Sequence, residues 1–141
     1  MKNFFEIPDK LELSCNEDVN AVITTWTSYT ISNDDFKKAI LNEGLYHAKQ
    51  NKCKAWIVDS SKATGLFKKD QLDFIDKEVF PELSKNGIEY FFSIKPEDSL
   101  FTELTVKRFT SMTSSHNMKL IEVNNVDEAI NWLKDNVDLN K

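Results

Sequence analysis

A chain of 141 residues, 40% hydrophobic and 29% charged, is long enough for one packed domain and too apolar for a disordered one. Its formal net charge of -5 repels a phosphate backbone, so no nucleic-acid partner is expected, and the doublets Lys37-Lys38 and Lys68-Lys69 read as solvated helix surface. Two cysteines, Cys15 and Cys53, make no disulfide framework, and no apolar run reaches the length of a membrane span. Nothing in the opening residues reads as a signal sequence, so cytoplasm is the expected compartment, with both thiols reduced. No repeat, low-complexity tract or Gly/Ser-rich linker divides the chain, and residues 1–141 read as one domain.

The first clear strand is Leu11 to Cys15, where Leu11, Leu13 and Cys15 alternate with Glu12 and Ser14. Phe4 to Ile7, ahead of Pro8, has the makings of a further edge segment. Asn16-Glu17-Asp18 turns the chain into Ala21 to Trp26, a more apolar strand rich in β-branched residues; the short connection makes the two a hairpin. Ser32 and Asp35 have capping-box spacing and open a helix that runs to about Gln50. Phe36, Ile40, Gly44, His47 and Ala48 share one side of it, extended by Leu41 and Leu45. Gly44 costs about 1 kcal/mol against Ala inside a helix, and a close approach to the sheet is the expected reason.

Ala55 to Val58 reads as an interior strand that ends in Asp59-Ser60-Ser61. The second helix runs from about Lys69 to Lys85, with Leu72, Ile75, Val79 and Leu83 buried and Phe80 at the margin. Pro81 is expected to bend or break it, and Asn86-Gly87 to end it. Ile88 to Ile94 is the next strand. Leu100 to about Met112 is the third helix, with Leu100, Phe101, Leu104 and Met112 inward and Arg108 inside their arc. Lys119 to Val123 is the last strand, and Asn125 with Glu128 caps a final helix carrying Val126, Ala129, Ile130 and Leu133 inward. The expectation is an α/β domain: a single mixed five-stranded sheet with four helices, one hairpin member antiparallel and the rest joined by right-handed crossovers. The order of the strands is not legible at this level.

Pockets in open α/β sheets form beyond the carboxyl ends of parallel strands, which singles out Asp59, Ser60, Ser61 and Thr64. Asp59 there either orients a hydroxyl, cation or partner, or closes a turn with its serines. Arg108 either lays its stem over the core margin with a wet head, or contacts an anion or the Asp59 region. A nucleophilic serine needs a base within reach, and His47 and His116 are the only histidines. Neither is placed near Asp59 by the sequence. The cysteines and histidines lack the paired spacing of a zinc site. Glu17-Asp18, Asp34-Asp35 and Asp127-Glu128 fit a turn and helix N-termini, so no metal or cofactor is expected. Gly65 and Lys68-Lys69 lack the spacing of a phosphate loop. Phe74, Val106, Phe109 and Trp132 fall toward otherwise polar faces, which suggests a contact with a protein partner or a second copy.

Three phrases carry a family resemblance. They are Trp26-Thr27-Ser28-Tyr29 leading into Ser32-Asn33-Asp34-Asp35-Phe36-Lys37, the strand Trp56-Ile57-Val58-Asp59, and the terminal Glu128-Ala129-Ile130-Asn131-Trp132-Leu133. Val79-Phe80-Pro81-Glu82 also looks like the second helix of that group. With the order of elements, they resemble the STAS-like, anti-anti-sigma-factor-like superfamily, and within it small bacterial members without an assigned role. The resemblance covers nearly the whole chain. It implies a STAS-like domain that is a non-enzymatic interaction or sensing domain; together with the off-stripe aromatic residues, the layout suggests an interaction or regulatory module that contacts a protein partner or itself as a homodimer. Phosphoregulated members carry a serine at the start of the helix after the central strand. Here Asp59-Ser60-Ser61 stands too early and Thr64-Gly65-Leu66 precedes the helix, so no residue matches that serine. The alternative expectation is a small-ligand-binding domain, sensing or carrier, with Asp59, Arg108 and His116 as polar contacts.

Overall fold

A computed structural model describes residues 2–64, 69–94 and 118–137. These residues form one mixed sheet of six strands: β1 (Lys2–Ile7), β2 (Leu11–Asn16), β3 (Ala21–Trp26), β4 (Ala55–Asp59), β5 (Tyr90–Ile94) and β6 (Lys119–Val123). They lie across the sheet in chain order. Only β2 runs against the others, pairing antiparallel with β1 and β3, while β3 to β6 pair in parallel. Three helices are described: α1 over residues 33–50, α2 over residues 69–85, and α3 (Val126–Asn136).

The expected α/β class holds; the described residues carry six strands where five were expected, and three of the four expected helices. The sixth strand is β1, whose alternation is broken by the adjacent Phe4 and Phe5. Its pairing with β2 shifts register between Asn3 and Phe5, and both phenylalanines pack against the same core cluster. A bulge re-aims a side chain in this way and breaks the period of two, yet the edge segment expected over Phe4 to Ile7 is present as the greater part of this strand. The helix expected over Leu100 to Met112 lies outside the described residues.

Tight turns fix the β1–β2–β3 register. Pro8 and Asp9 join β1 to β2, with the Lys10 N–H donating to the Ile7 carbonyl at 3.0 Å and Asp9 at φ 64°. Proline followed by a residue of positive φ is the chemistry of a type II turn. At the next turn the Asn16 side-chain oxygen accepts from the Asp18 and Val19 N–H groups at 2.9 and 3.3 Å.

Helices cover both faces. Leu11, Leu13, Val22, Trp26, Trp56 and Phe91 build one core with α1 and α2; Ile23, Ile57, Phe92 and Ile94 build the other with Ala129 and Leu133 of α3. Ser32 and Asn125 cap α1 and α3, accepting from the Asp35 and Glu128 N–H groups at 3.1 and 2.8 Å. The middle of α1, Lys38–Gly44, winds as π-helix, and this wider turn places both Ala39 and Ile40 in the core. Gly44 sits so close to the sheet that a Cβ there would lie 2.6 Å from Cη2 of Trp56.

Helix α2 does not break at Pro81. It passes through a π-helical turn at Ile75–Val79 and continues as Phe80–Lys85. The wide turn falls on the carbonyls that a proline ring would otherwise crowd. It also carries Phe80 from the expected margin into the core, where it is 1% exposed. Both crossover helices end in the same cap. The Ile88 N–H donates to Leu83 O at 3.0 Å and Gly87 N–H to Ser84 O at 3.2 Å; the Cys53 N–H donates to Ala48 O at 2.9 Å and Lys52 N–H to Lys49 O at 3.4 Å. This is the Schellman arrangement, which needs a left-handed residue. Gly87 supplies it at φ 99°, whereas Lys52 holds φ 52° with a side chain attached.

Candidate functional site

Beyond the carboxyl ends of β3 and β4, two loops continue the pairing of their strands. The Thr64 N–H donates to Thr27 O at 3.0 Å and the Tyr29 N–H to Thr64 O at 2.9 Å, so Ser28 and Thr64 form a parallel bridge past the sheet. The Thr64 hydroxyl adds a bond to Thr27 O at 3.2 Å. Ser28 Oγ accepts from the Thr30 N–H at 3.1 Å, which turns the first loop toward α1. The start of α2 grips this loop from the other side. Gln71, 3% exposed, donates to Ile31 O at 2.9 Å, and Asn33 donates to an Asp70 carboxylate oxygen at 3.3 Å.

Inside this frame, Asp59 ends β4 opposite Thr25 and Ile94. Its Oδ1 accepts from the Ser61 N–H at 3.0 Å and from the Ser61 hydroxyl at 2.7 Å. That is an Asx turn, the local use of aspartate that leaves a loop rigid. Ser60, 6% exposed, donates its N–H to Ile94 O at 3.1 Å, and its carbonyl accepts from Ala63. Its hydroxyl accepts a hydrogen bond from the phenol of Tyr29. Burial pushes the Tyr29 phenol up from its ordinary 10.0 to about 12; the nearby Asp59 carboxylate works in the same direction and the Ser60 bond in the opposite one. At neutral pH the phenol is therefore a fixed proton donor.

The expected site residues Asp59, Ser60, Ser61 and Thr64 thus share one loop, and the turn role of Asp59 is present. Arg108 and His116 lie outside the described residues. The unforeseen members are Thr27, Tyr29 and Gln71. The Trp26-Thr27-Ser28-Tyr29 string held the signal, because a loop leaving β3 meets the loop leaving β4 once the two strands are neighbours. His47 sits at the opposite edge. Its ring stacks on Phe4 with centroids 4.0 Å apart and planes 5° apart. It lies beside Ala48, whose carbonyl takes the Cys53 N–H just before β4 begins. The length of β4, about 13 Å at the usual strand rise, separates that edge from Asp59.

The aromatic residues expected on polar faces are packed where they are described. Phe74 stands edge-on to Phe36 at 5.9 Å, and Trp132 contacts Tyr90 and Phe92 at 5.4 and 5.6 Å, with the Lys119 ammonium 5.4 Å from its ring. Val106 and Phe109 lie outside the described residues. Tyr46, 64% exposed, is the one large exposed hydrophobic side chain among the described residues. Within the same residues, no group of three or more His, Cys, Asp or Glu could hold a metal ion, and no helix is long and apolar enough to cross a membrane. Cys15 and Cys53 are buried free thiols, and burial, with a smaller influence of Cys15, pushes Cys53 up from its ordinary 9.0 to about 11. Comparison of the chain with family models, curated proteins and solved structures gives no match.

Proposed function

We propose that this protein is a non-enzymatic interaction module whose recognition surface is the pair of loops 27–32 and 59–64. The observation that carries the reading is their cross-bracing. Thr27, Tyr29 and Thr64 bind each other through backbone groups, so the surface is ordered before anything binds to it. An ordered surface loses less conformational entropy on association than a loose one. Thr30, Lys62 and Thr64 are exposed on these loops and available for contact. The hydroxyls of Ser61 and Thr64 are committed to Asp59 and to a backbone carbonyl, which suits a scaffold more than a nucleophile. The run β3–α1–β4–α2–β5 alternates strand and helix, the order of elements from which the STAS-like resemblance is read.

Photo-cross-linking in the cell of origin tests the reading. A benzophenone amino acid replaces Thr64 in one variant and Tyr46, on the outer side of α1, in another. A discrete adduct at position 64 and none at 46 is the expected result, and the adduct mass separates a different protein from a second copy of this chain. No adduct at position 64, or the same adducts at both positions, would overturn the proposal.

A further inference from the structure

We infer that Tyr29 is the positioning residue of the two loops: its hydroxyl, bonded to Ser60, locks them together and couples them to the helical layer. The inference rests on the reading of these loops as a recognition surface, but its structural content stands apart from any partner. Backbone bonds from Thr27, Tyr29 and Thr64 join the loops at their outer side. The phenol joins them at the inner side, on a serine whose own N–H is tied to the end of β5. Two attachments on opposite sides prevent the rotation that one would allow. From the phenol, ring contacts run inward: Tyr29 to Trp26 at 5.1 Å, Trp26 to Phe36 of α1 at 5.7 Å, and Phe36 to Phe74 of α2 at 5.9 Å. Packed aromatic side chains of this kind transmit a displacement because a close-packed core has little free volume to absorb it. A shift of the Ser60 loop therefore reaches both helices on one face of the sheet.

Amide hydrogen exchange on Tyr29→Phe tests this. The ring and its packing remain, and only the hydroxyl goes. Exchange of the amides of Ala63 and Thr64 should quicken about fivefold, the factor that ~1 kcal/mol of lost hydrogen bonding corresponds to, while Lys10 in the β1–β2 turn is unchanged. Ser60→Ala should give the same pattern, and the double variant should be no looser than either single one, because both remove the same bond. Unchanged exchange at Ala63 and Thr64, or an equal rise at Lys10, would overturn the inference. Should exchange quicken as expected while the position-64 cross-link is absent, the recognition reading fails and the positioning role of Tyr29 stands.

Discussion

Replacing Gly44 with Ala perturbs the tightest helix–sheet contact by a single methyl group. In an unobstructed helix interior, the change stabilises by about 1 kcal/mol. Here the new Cβ meets Cη2 of Trp56 at 2.6 Å, Cζ2 at 3.2 Å and the Ala39 carbonyl oxygen at 3.2 Å. The Trp56 ring has little room to retreat. It is 1% exposed, and its indole N–H is bonded to Thr24 Oγ1 at 2.9 Å. Overpacking of a well-filled core costs about 1–3 kcal/mol, so the propensity gain is outweighed and the net loss is about 1 kcal/mol. Urea unfolding followed by tryptophan fluorescence reads this as a lower midpoint at constant slope. In a Trp56→Phe background the ring atoms nearest Gly44 are gone, and the same Gly44→Ala change should turn neutral or stabilising. A gain near 1 kcal/mol in the wild-type background would refute the close approach.

Three further outcomes follow from the caps and the buried acids. Lys52→Gly should raise stability by about 0.5–1 kcal/mol in the same urea assay, because Lys52 occupies a left-handed conformation, whereas Gly87→Ala should lower it by about 1 kcal/mol. Ser32→Ala and Asn125→Ala should each lose about 1 kcal/mol, since each removes the side-chain acceptor at the start of its helix. Stability should also fall in alkali. Cys53 and Tyr29 keep their protons in the folded chain up to about 11 and about 12, against ordinary values of 9.0 and 10.0. The unfolded chain releases protons first, so this contribution is fully present below pH 9 and is lost as pH rises toward 12. A urea midpoint that stays flat from pH 8 to 11 would contradict it.

The elements whose residues recur with one clear period were legible in the sequence. Alternation located β2, and Ser32 and Asn125 marked two helix starts that the structure places there. What failed to show had local physical causes. A bulge put Phe4 and Phe5 toward the same core and broke the alternation of β1, so its Phe4-to-Ile7 stretch read only as an added edge segment and not as a counted strand. The π-helical turn ahead of Pro81 moved Phe80 inward, against an ideal helical spacing. Trp132 looked like surface because its cover comes from Tyr90 and Phe92, on a strand whose place in the sheet was unknown. The site was half legible. Asp59, Ser60, Ser61 and Thr64 follow from the end of one strand, but Tyr29 and Gln71 join them only through strand order and helix placement.

The most direct trial of the recognition surface is quantitative capture from an extract of the cell of origin, comparing wild type, a Lys62→Glu/Thr64→Arg double variant and a Tyr46→Glu variant. We expect a protein retained by wild type and by the Tyr46 variant and lost from the loop variant, with all three chains folded by circular dichroism. A partner that stays on the loop variant as strongly as on wild type would contradict the account.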